Sequence, residues 1–387
     1  MLYGPVPAFT PPEMVKAVSI LRMHDYSSEV CDTPRLVKYP LVSVLVVTYN
    51  HERYLAEAIE GVVRQETSFA VELLIGEDCS TDGTRKVALD YQKRFPEVIR
   101  VITSAYNVGG GKNLERLITG ARGKYIAYCD GDDWWHRSDK LQRQVAVLEE
   151  DDAIILTCSS YRVLEEDGSI TCDNHNPSVL GMREWLVYDE LVTGQVTVAT
   201  LTACARREAM VRTFLSSPAC RDWSLPFGDL QLWLELSRQG RIRYVNEPLA
   251  SYRQTRESAS RSRDFRKLQS FSMNGFEVRD RFLARFPLAS GPEATKAQRI
   301  CYAKAQLRAA AAAGDAGAAT CVIRRLREFG VDPGLREHVL ICLARLPLGR
   351  YYCGPMAKSL LRFGRSLVSF VRSLRDRLTV RPGDRAA

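Results

Sequence analysis

The sequence has no apolar run long enough to cross a bilayer, and its start lacks the basic-then-apolar layout of an export signal. Both absences set the expectation of a cytoplasmic protein without a membrane span. The 11 cysteines (31, 79, 129, 158, 172, 204, 220, 301, 321, 342 and 353) never form C-x-x-C, and several fall inside apolar stretches. They read as buried thiols in a reducing compartment, which argues against a disulfide framework and against zinc. Neither common nucleotide-binding glycine motif is present. The run Asn107-Val108-Gly109-Gly110-Gly111-Lys112-Asn113 lacks the leading glycine of a phosphate loop and the Ser or Thr that follows its lysine, so it reads as a flexible turn before a helix. The first apolar strand is followed by Thr48-Tyr49-Asn50, not by G-x-G-x-x-G. What remains is an ordinary globular composition, 26% charged and 45% hydrophobic over 387 residues, enough for one large α/β domain and a second unit.

Residues 1–39 read as an N-terminal extension, with prolines at 5, 7, 11 and 12 and a short helix over 14–23. Regular structure is expected from residue 41, where Leu41-Val42-Ser43-Val44-Leu45-Val46-Val47-Thr48 is apolar on both faces, as a parallel strand covered by helices must be. Tyr54, Leu55, Ala58, Ile59, Val62 and Val63 then recur at helical spacing. A second strand over 71–76 ends in Glu77-Asp78, and Thr81 or Asp82 can cap the helix that follows. A third strand over 98–103 and a fourth ending at Asp130 complete a strand–helix alternation that predicts a doubly wound, mostly parallel sheet. Ligands of such sheets bind beyond the carboxyl ends of the strands. Thr48–Asn50, Glu77–Asp78 and Asp130–Asp133 all fall there.

The stretch Lys124-Tyr125-Ile126-Ala127-Tyr128-Cys129-Asp130-Gly131-Asp132-Asp133-Trp134-Trp135 is the one the chain is organised around. Three carboxylates in four residues repel one another unless a cation or a hydrogen-bonded ligand satisfies them. Oxygen-only ligands favour Mg²⁺ or Mn²⁺. Taken alone, D-x-D-D would equally suit an acidic turn that caps the helix beginning near Ser138 or Asp139. Trp134 and Trp135 suit either a sugar pocket or an ordinary core.

In their order and spacing, the segments ending in Thr48-Tyr49-Asn50, in Glu77-Asp78-Cys79-Ser80-Thr81-Asp82-Gly83-Thr84 and in Asp130-Gly131-Asp132-Asp133-Trp134-Trp135 resemble family 2 glycosyltransferases of the GT-A fold. The resemblance covers about residues 40–260. It implies an inverting transfer of a sugar from a nucleotide-diphosphate donor, a UDP-sugar first of all, to a hydroxyl of a polysaccharide or lipid-linked glycan. It places Tyr49 against the donor's base and Asp78 on uracil, with Glu77 where the family's usual Asp-Asp pair has its first acid. Asp130 and Asp132 match the D-x-D motif and Asp133 extends it. One of these three carboxylates would bind the metal and a neighbour the ribose, with Asp132 the leading metal ligand. Asp229, in Gly228-Asp229 before a helix, takes the place of the general base, although a capping aspartate also fits there. In Ser251-Tyr252-Arg253-Gln254-Thr255 a threonine stands where the family often has a histidine, so Arg253 is expected to help neutralise the diphosphate.

Alternation over 196–203 predicts a half-buried strand, which the resemblance places near the acceptor, and Glu165-Glu166-Asp167-Gly168 a hairpin turn. Residues 261–348 read as a small helical region. Ten basic against two acidic side chains in 341–387 account for the whole net charge of +8. Residues 349–387 read as a basic amphipathic tail whose segment 355–379 suits an anionic membrane surface at the inner face of the membrane. Nucleic acid would leave the tail's apolar face without purpose. Two other readings stay open. One is a nucleotide-sugar-binding protein without catalysis. The other is a nucleotidyltransferase, which would carry a glycine-rich basic loop where Thr48-Tyr49-Asn50-His51 stands.

Overall fold

The computed structural model describes residues 27–175, 184–222, 228–255, 265–334, 337–338 and 340. The helix expected over 14–23 and the tail 349–387 lie outside the described residues. Contacts divide the chain into two compact units between Thr255 and Arg256.

The first unit is built on one sheet. Strands β1 (Ser27–Val30), β2 (Val42–Thr48), β3 (Val71–Glu77), β4 (Ile99–Ser104), β5 (Tyr125–Tyr128), β6 (Ile154–Glu165), β7 (Ile170–His175), β8 (Trp185–Leu186), β9 (Cys204–Arg206) and β10 (Arg241–Gln254) lie in the order β1-β4-β3-β2-β5-β9-β6-β10-β8. Strands β4, β3, β2 and β5 run parallel. β2 is buried on both faces, as its unbroken apolar run requires. Helices α1 (Leu55–Val63), α2 (Thr84–Arg94), α3 (Gly110–Gly120) and α4 (Lys140–Glu150) connect or follow these strands. Leu55, Ala58, Ile59 and Val62 of α1 join the core formed by Val42, Val44, Val46, Leu73 and Ile75. The glycine run enters α3 through Gly109 at φ 88°, a left-handed conformation that glycine adopts without cost. β7 pairs antiparallel with β6 across the expected turn, and α5 (Tyr188–Thr193), α6 (Arg207–Ser216) and α7 (Gly228–Leu236) complete the unit.

Two expectations are corrected. Part of the supposed extension belongs to the sheet: β1 pairs antiparallel with β4, and Leu36 is buried. The half-buried strand expected over 196–203 is instead a coil ending in a 3-10 turn, Thr200–Thr202, and only Cys204–Arg206 is strand. The Thr202 hydroxyl and amide both donate to the Ala199 carbonyl, at 2.7 and 2.9 Å, which closes the turn against extension.

The second unit is helical: α8 (Phe265–Arg285), α9 (Pro292–Ala313) and α10 (Ala316–Glu328). Gly314 ends α9 in a left-handed conformation, and Asp315 caps α10 by accepting the Ala318 amide at 2.8 Å. Alanines 303, 310, 311 and 319 let the helices pack closely around Leu307, Val322, Ile323 and Leu326. Among the described residues no helix is long and apolar enough to cross a membrane.

At the amino end of the parallel strands a buried charge cluster ties the sheet together. Glu72 is fully buried and accepts from the Ser43 hydroxyl (2.6 Å), the Arg122 amide (2.8 Å), Arg122 Nε (2.7 Å) and Arg100 Nη1 (3.1 Å). Removing one partner of a buried pair leaves the other uncompensated. Glu72→Leu is expected to lower the unfolding free energy by about 3–5 kcal/mol in denaturant titration. A midpoint equal to that of the unaltered chain would show that the cluster contributes nothing.

Candidate active site

The loops after β2, β3 and β5 meet on one rim of the sheet. Tyr49 follows β2 and is 41% exposed. Asn50 and Cys79 both take left-handed backbone, at φ 57° and 58°. Such conformations are held only where neighbours over-determine them. Here the two loops are laced together: Asn50 Oδ1 accepts the Thr81 amide at 2.8 Å, the Asn50 amide donates to Ser80 Oγ at 3.1 Å, and the His51 amide donates to Thr84 Oγ1 at 2.8 Å. Neither Thr81 nor Asp82 is the N-cap of α2, which is Gly83 without a side-chain cap bond; Asp82, one residue before it, accepts the Thr84 amide at 3.0 Å.

The acids after β3 are turned to scaffolding. Glu77 is buried, pairs with Arg85 Nε at 2.5 Å and accepts the Ser80 amide at 2.6 Å. Asp78, also buried, accepts the amides of Val108 and Gly109 at 2.9 Å each and the Ser104 hydroxyl at 3.2 Å. Asp78 thereby fastens the glycine run to the rim.

The acidic loop follows β5. Its backbone is tied at each step: Gly131 N–H to Val47 O at 3.0 Å, Asp133 N–H to Asp130 O at 3.0 Å, and a two-way pairing of Trp134 with Ser251 of β10. A Cβ at Gly131 would lie 2.6 Å from Thr48 Oγ1 and 2.7 Å from His51 Nδ1, so only glycine fits there. Asp133 points inward and accepts the Arg253 amide at 2.9 Å. The Arg253 guanidinium pairs with Glu57 and donates to the Asp132 carbonyl at 3.2 Å, bracing the loop from β10. Asp130 and Asp132 are half-buried, and neither side chain has a hydrogen-bond or ion-pair partner among the described residues. Burial first, then the charges of Asp132 and Asp229, push the Asp130 carboxyl above the usual carboxylate range.

Asp229 arrives from the far end of the unit. Trp233, one turn further along α7, packs edge-to-face on Tyr128 of β5 with ring centroids 5.7 Å apart, and both rings are buried. That contact seats the start of α7 beside the end of β5. Asp229 Oδ2 accepts the Thr200 hydroxyl at 3.0 Å, and Oδ1 the Leu230 amide at 2.8 Å. Of the two tryptophans, Trp135 is core, 2% exposed with Nε1 on the Leu201 carbonyl at 3.0 Å, while Trp134 is half-buried. Thr255, in the place of the expected histidine, is buried.

The glycosyl transferase family 2 model matches residues 43–212. The Bacillus subtilis protein TuaG, named "Putative teichuronic acid biosynthesis glycosyltransferase", is 31% identical over 223 residues, 57% of this chain and 82% of TuaG. The chain belongs to glycosyl transferase family 2. An uncharacterized protein of Mycobacterium tuberculosis is 37% identical over 128 residues, which span 33% of this chain and 37% of that protein. The crystal structure of S. aureus TarS 1-349 with UDP-GlcNAc is similar at 17% identity and a TM-score of 0.47, covering 78% of this chain and 88% of that one.

Family membership raises the question of a divalent metal, and the residues fit one. Two crowded carboxylates without partners offer hard oxygen ligands. Among the described residues no three His, Cys, Asp or Glu side chains are arranged around a common point, so phosphate and water oxygens would complete the shell, as Mg²⁺ and Mn²⁺ accept. Sequence reasoning missed Thr200, because its segment reads as a strand. It also missed His136, whose Nδ1 lies 2.8 Å from Ser251 Oγ beneath the Trp134 pairing.

Burial, and next the charge of Arg162, lower the His136 pKa to about 4. The folded chain thus holds the imidazole neutral where the unfolded chain binds a proton. His136 contributes no penalty above pH 6.5, and a growing one as pH falls from there through about 4. The expected loss is up to about 3 kcal/mol relative to His136→Gln, read from denaturant midpoints at stepped pH. Parallel pH profiles for the two proteins would refute it.

Proposed function

We propose that this chain is an inverting glycosyltransferase that moves a sugar from a nucleotide-diphosphate donor onto a hydroxyl of a polysaccharide or lipid-linked glycan, with a UDP-sugar as the leading donor. Family membership supports the reaction class, and the name of TuaG supports a polysaccharide acceptor. The observation that carries the reading is the seating of Asp229 at the end of β5, where Trp233 of its helix packs on Tyr128 and Thr200 donates to its carboxylate, beside the loop that carries Asp130 and Asp132. An N-capping role alone would not bring Asp229 to the acidic rim.

Asp130 and Asp132 would hold a divalent cation, which when bound neutralises charge developing on the departing diphosphate. The exposed ring of Tyr49 offers a face for the donor's base. Asp78 shapes the wall beside it through the glycine run, and its Oδ2, which takes only the Gly109 amide, keeps one lone pair for a base N–H. Arg253 acts on the diphosphate indirectly, by fixing the peptide of Asp132. Asp229 takes the proton of the acceptor hydroxyl as that oxygen attacks the anomeric carbon from the face opposite the diphosphate, and a single displacement of this kind inverts the centre.

The test starts with a panel of UDP-, GDP- and dTDP-sugars in Mn²⁺, read by thermal shift and by release of nucleoside diphosphate. With the donor so found, Asp229→Asn is expected to keep donor affinity and lose turnover by about 10²–10⁴-fold. Survival of the rate with loss of donor binding would reduce Asp229 to a cap. Asp132→Asn is expected to abolish both transfer and the Mn²⁺ dependence of donor binding. Near-normal turnover in that variant, or full activity in excess EDTA, rules out the metal.

A further inference from the structure

The 3-10 turn Thr200–Thr202 is tied at every residue, and the ties lead to two different places. Thr200 Oγ1 donates to Asp229 Oδ2 at 3.0 Å. The Leu201 carbonyl accepts Trp135 Nε1 at 3.0 Å, and the Thr202 carbonyl accepts Gln144 Nε2 at 2.7 Å. Behind these donors stands Lys140, fully buried, with Nζ 2.6 Å from Gln144 Oε1 and 3.9 Å from the centroid of the Trp135 ring. An ammonium in that position orients the amide: Gln144 must turn its oxygen to Lys140 and therefore its NH₂ to Thr202. The same cation attracts the indole face and steadies Trp135. Trp135 is part of the acidic loop and Gln144 of α4, so the turn is registered to the segment that carries Asp130 and Asp132.

Resting on the reading of Asp229 as the general base, we propose that Thr200 is its positioning residue, and that Trp135 and the Lys140–Gln144 pair set the turn that carries Thr200. Oδ1 of Asp229 is held by the amide of its own helix and Oδ2 by Thr200, which together fix the plane of the carboxylate. Each oxygen keeps a lone pair for an acceptor hydroxyl. With the Thr200 bond lost, the carboxylate can rotate about its own side-chain torsions, and displacement of a reacting group by about 1 Å costs on the order of 10²-fold in rate.

The test uses the full chain with the donor and acceptor pair found active in the panel, and UDP with Mn²⁺ as the probe of donor binding by calorimetry. Thr200→Val keeps the branched shape and deletes the hydroxyl. It is expected to lower kcat by roughly 10-fold to 100-fold, the weight of one hydrogen bond to a charged group, with donor KM and UDP affinity unchanged. Thr200→Ser is expected to restore most of the rate. Trp135→Phe keeps a ring over Lys140 but removes the donor to Leu201. It is expected to give a smaller loss of the same kind, and the double variant less than the product of the two effects, because both act through one turn. Where Thr200→Val does not fold, Trp135→Phe and Thr200→Ser carry the comparison. An unchanged kcat in Thr200→Val, a Thr200→Ser no better than Val, or a fall in UDP affinity that accounts for the rate would each overturn the proposal. Asp229→Asn in the same assay separates the two readings. If it is inactive while Thr200→Val is normal, only this inference falls; if it turns over normally, the assignment of the base falls and takes this one with it.

Discussion

Asp130 and Asp132 stand within reach of each other's charge and of Asp229, and like charges so placed separate unless the chain holds them. The holding is done by backbone. Gly131 bonds to β2, Asp133 closes back on Asp130, Trp134 pairs with β10, and the Arg253 amide takes the one carboxylate that faces inward. The first three of these join backbone to backbone and do not depend on the protonation of the acids they support. They therefore keep the loop in one shape whether a cation and a diphosphate are there or not, which is what a preorganised site for developing charge requires. The missing Cβ of Gly131 belongs to the same arrangement, since it lets the loop approach Thr48 and His51 closely enough to reach the Val47 carbonyl.

Acids elsewhere in the unit show the contrast. Glu72, Glu77, Asp78 and Asp133 are buried and receive N–H or O–H donors from the scaffold itself. Asp130 and Asp132 receive none among the described residues. The difference between a structural and a chemical carboxylate here is not exposure alone but whether the chain has already supplied donors. Glu77 and Asp78 illustrate it best: they lie at the end of a central strand, where ligands of such sheets bind, yet their oxygens tie down Arg85 and the 104–109 loop.

How much of this could be read beforehand follows from the kind of signal each part leaves. Central strands such as β2 and β3 must be apolar on both faces, and that shows as an unbroken run. The spacing of the acids from those strands located the rim. β1 was hidden because an edge strand buries little, and Ser27, Ser28 and Glu29 are polar. The turn at 200 was hidden because an alternating pattern of Val, Thr and Ala is equally consistent with a strand, and what decides between them is a set of bonds to distant Trp135 and Gln144. Lys140 was invisible for the same reason: a lysine at the start of a helix ordinarily lies in water, and only the fold shows it under the acidic loop.

The placement of that turn has a topological cause. β9 lies between β5 and β6 and runs antiparallel to both, pairing Ala127 with Cys204 and Tyr125 with Arg206. In a parallel neighbour, the residues that precede a strand lie at the opposite end of the sheet from those that follow β5. Reversing one strand brings them together: the residues just before β9 are the 200–202 turn, and those just after β5 are the acidic loop, joined at once by the Tyr128 amide on the Ala203 carbonyl at 3.2 Å. The single reversed strand in the middle of the sheet thus sets the turn that touches Asp229 against the loop that carries Asp130 and Asp132. A sheet of parallel strands throughout would have needed a long excursion to bring the same groups to one rim.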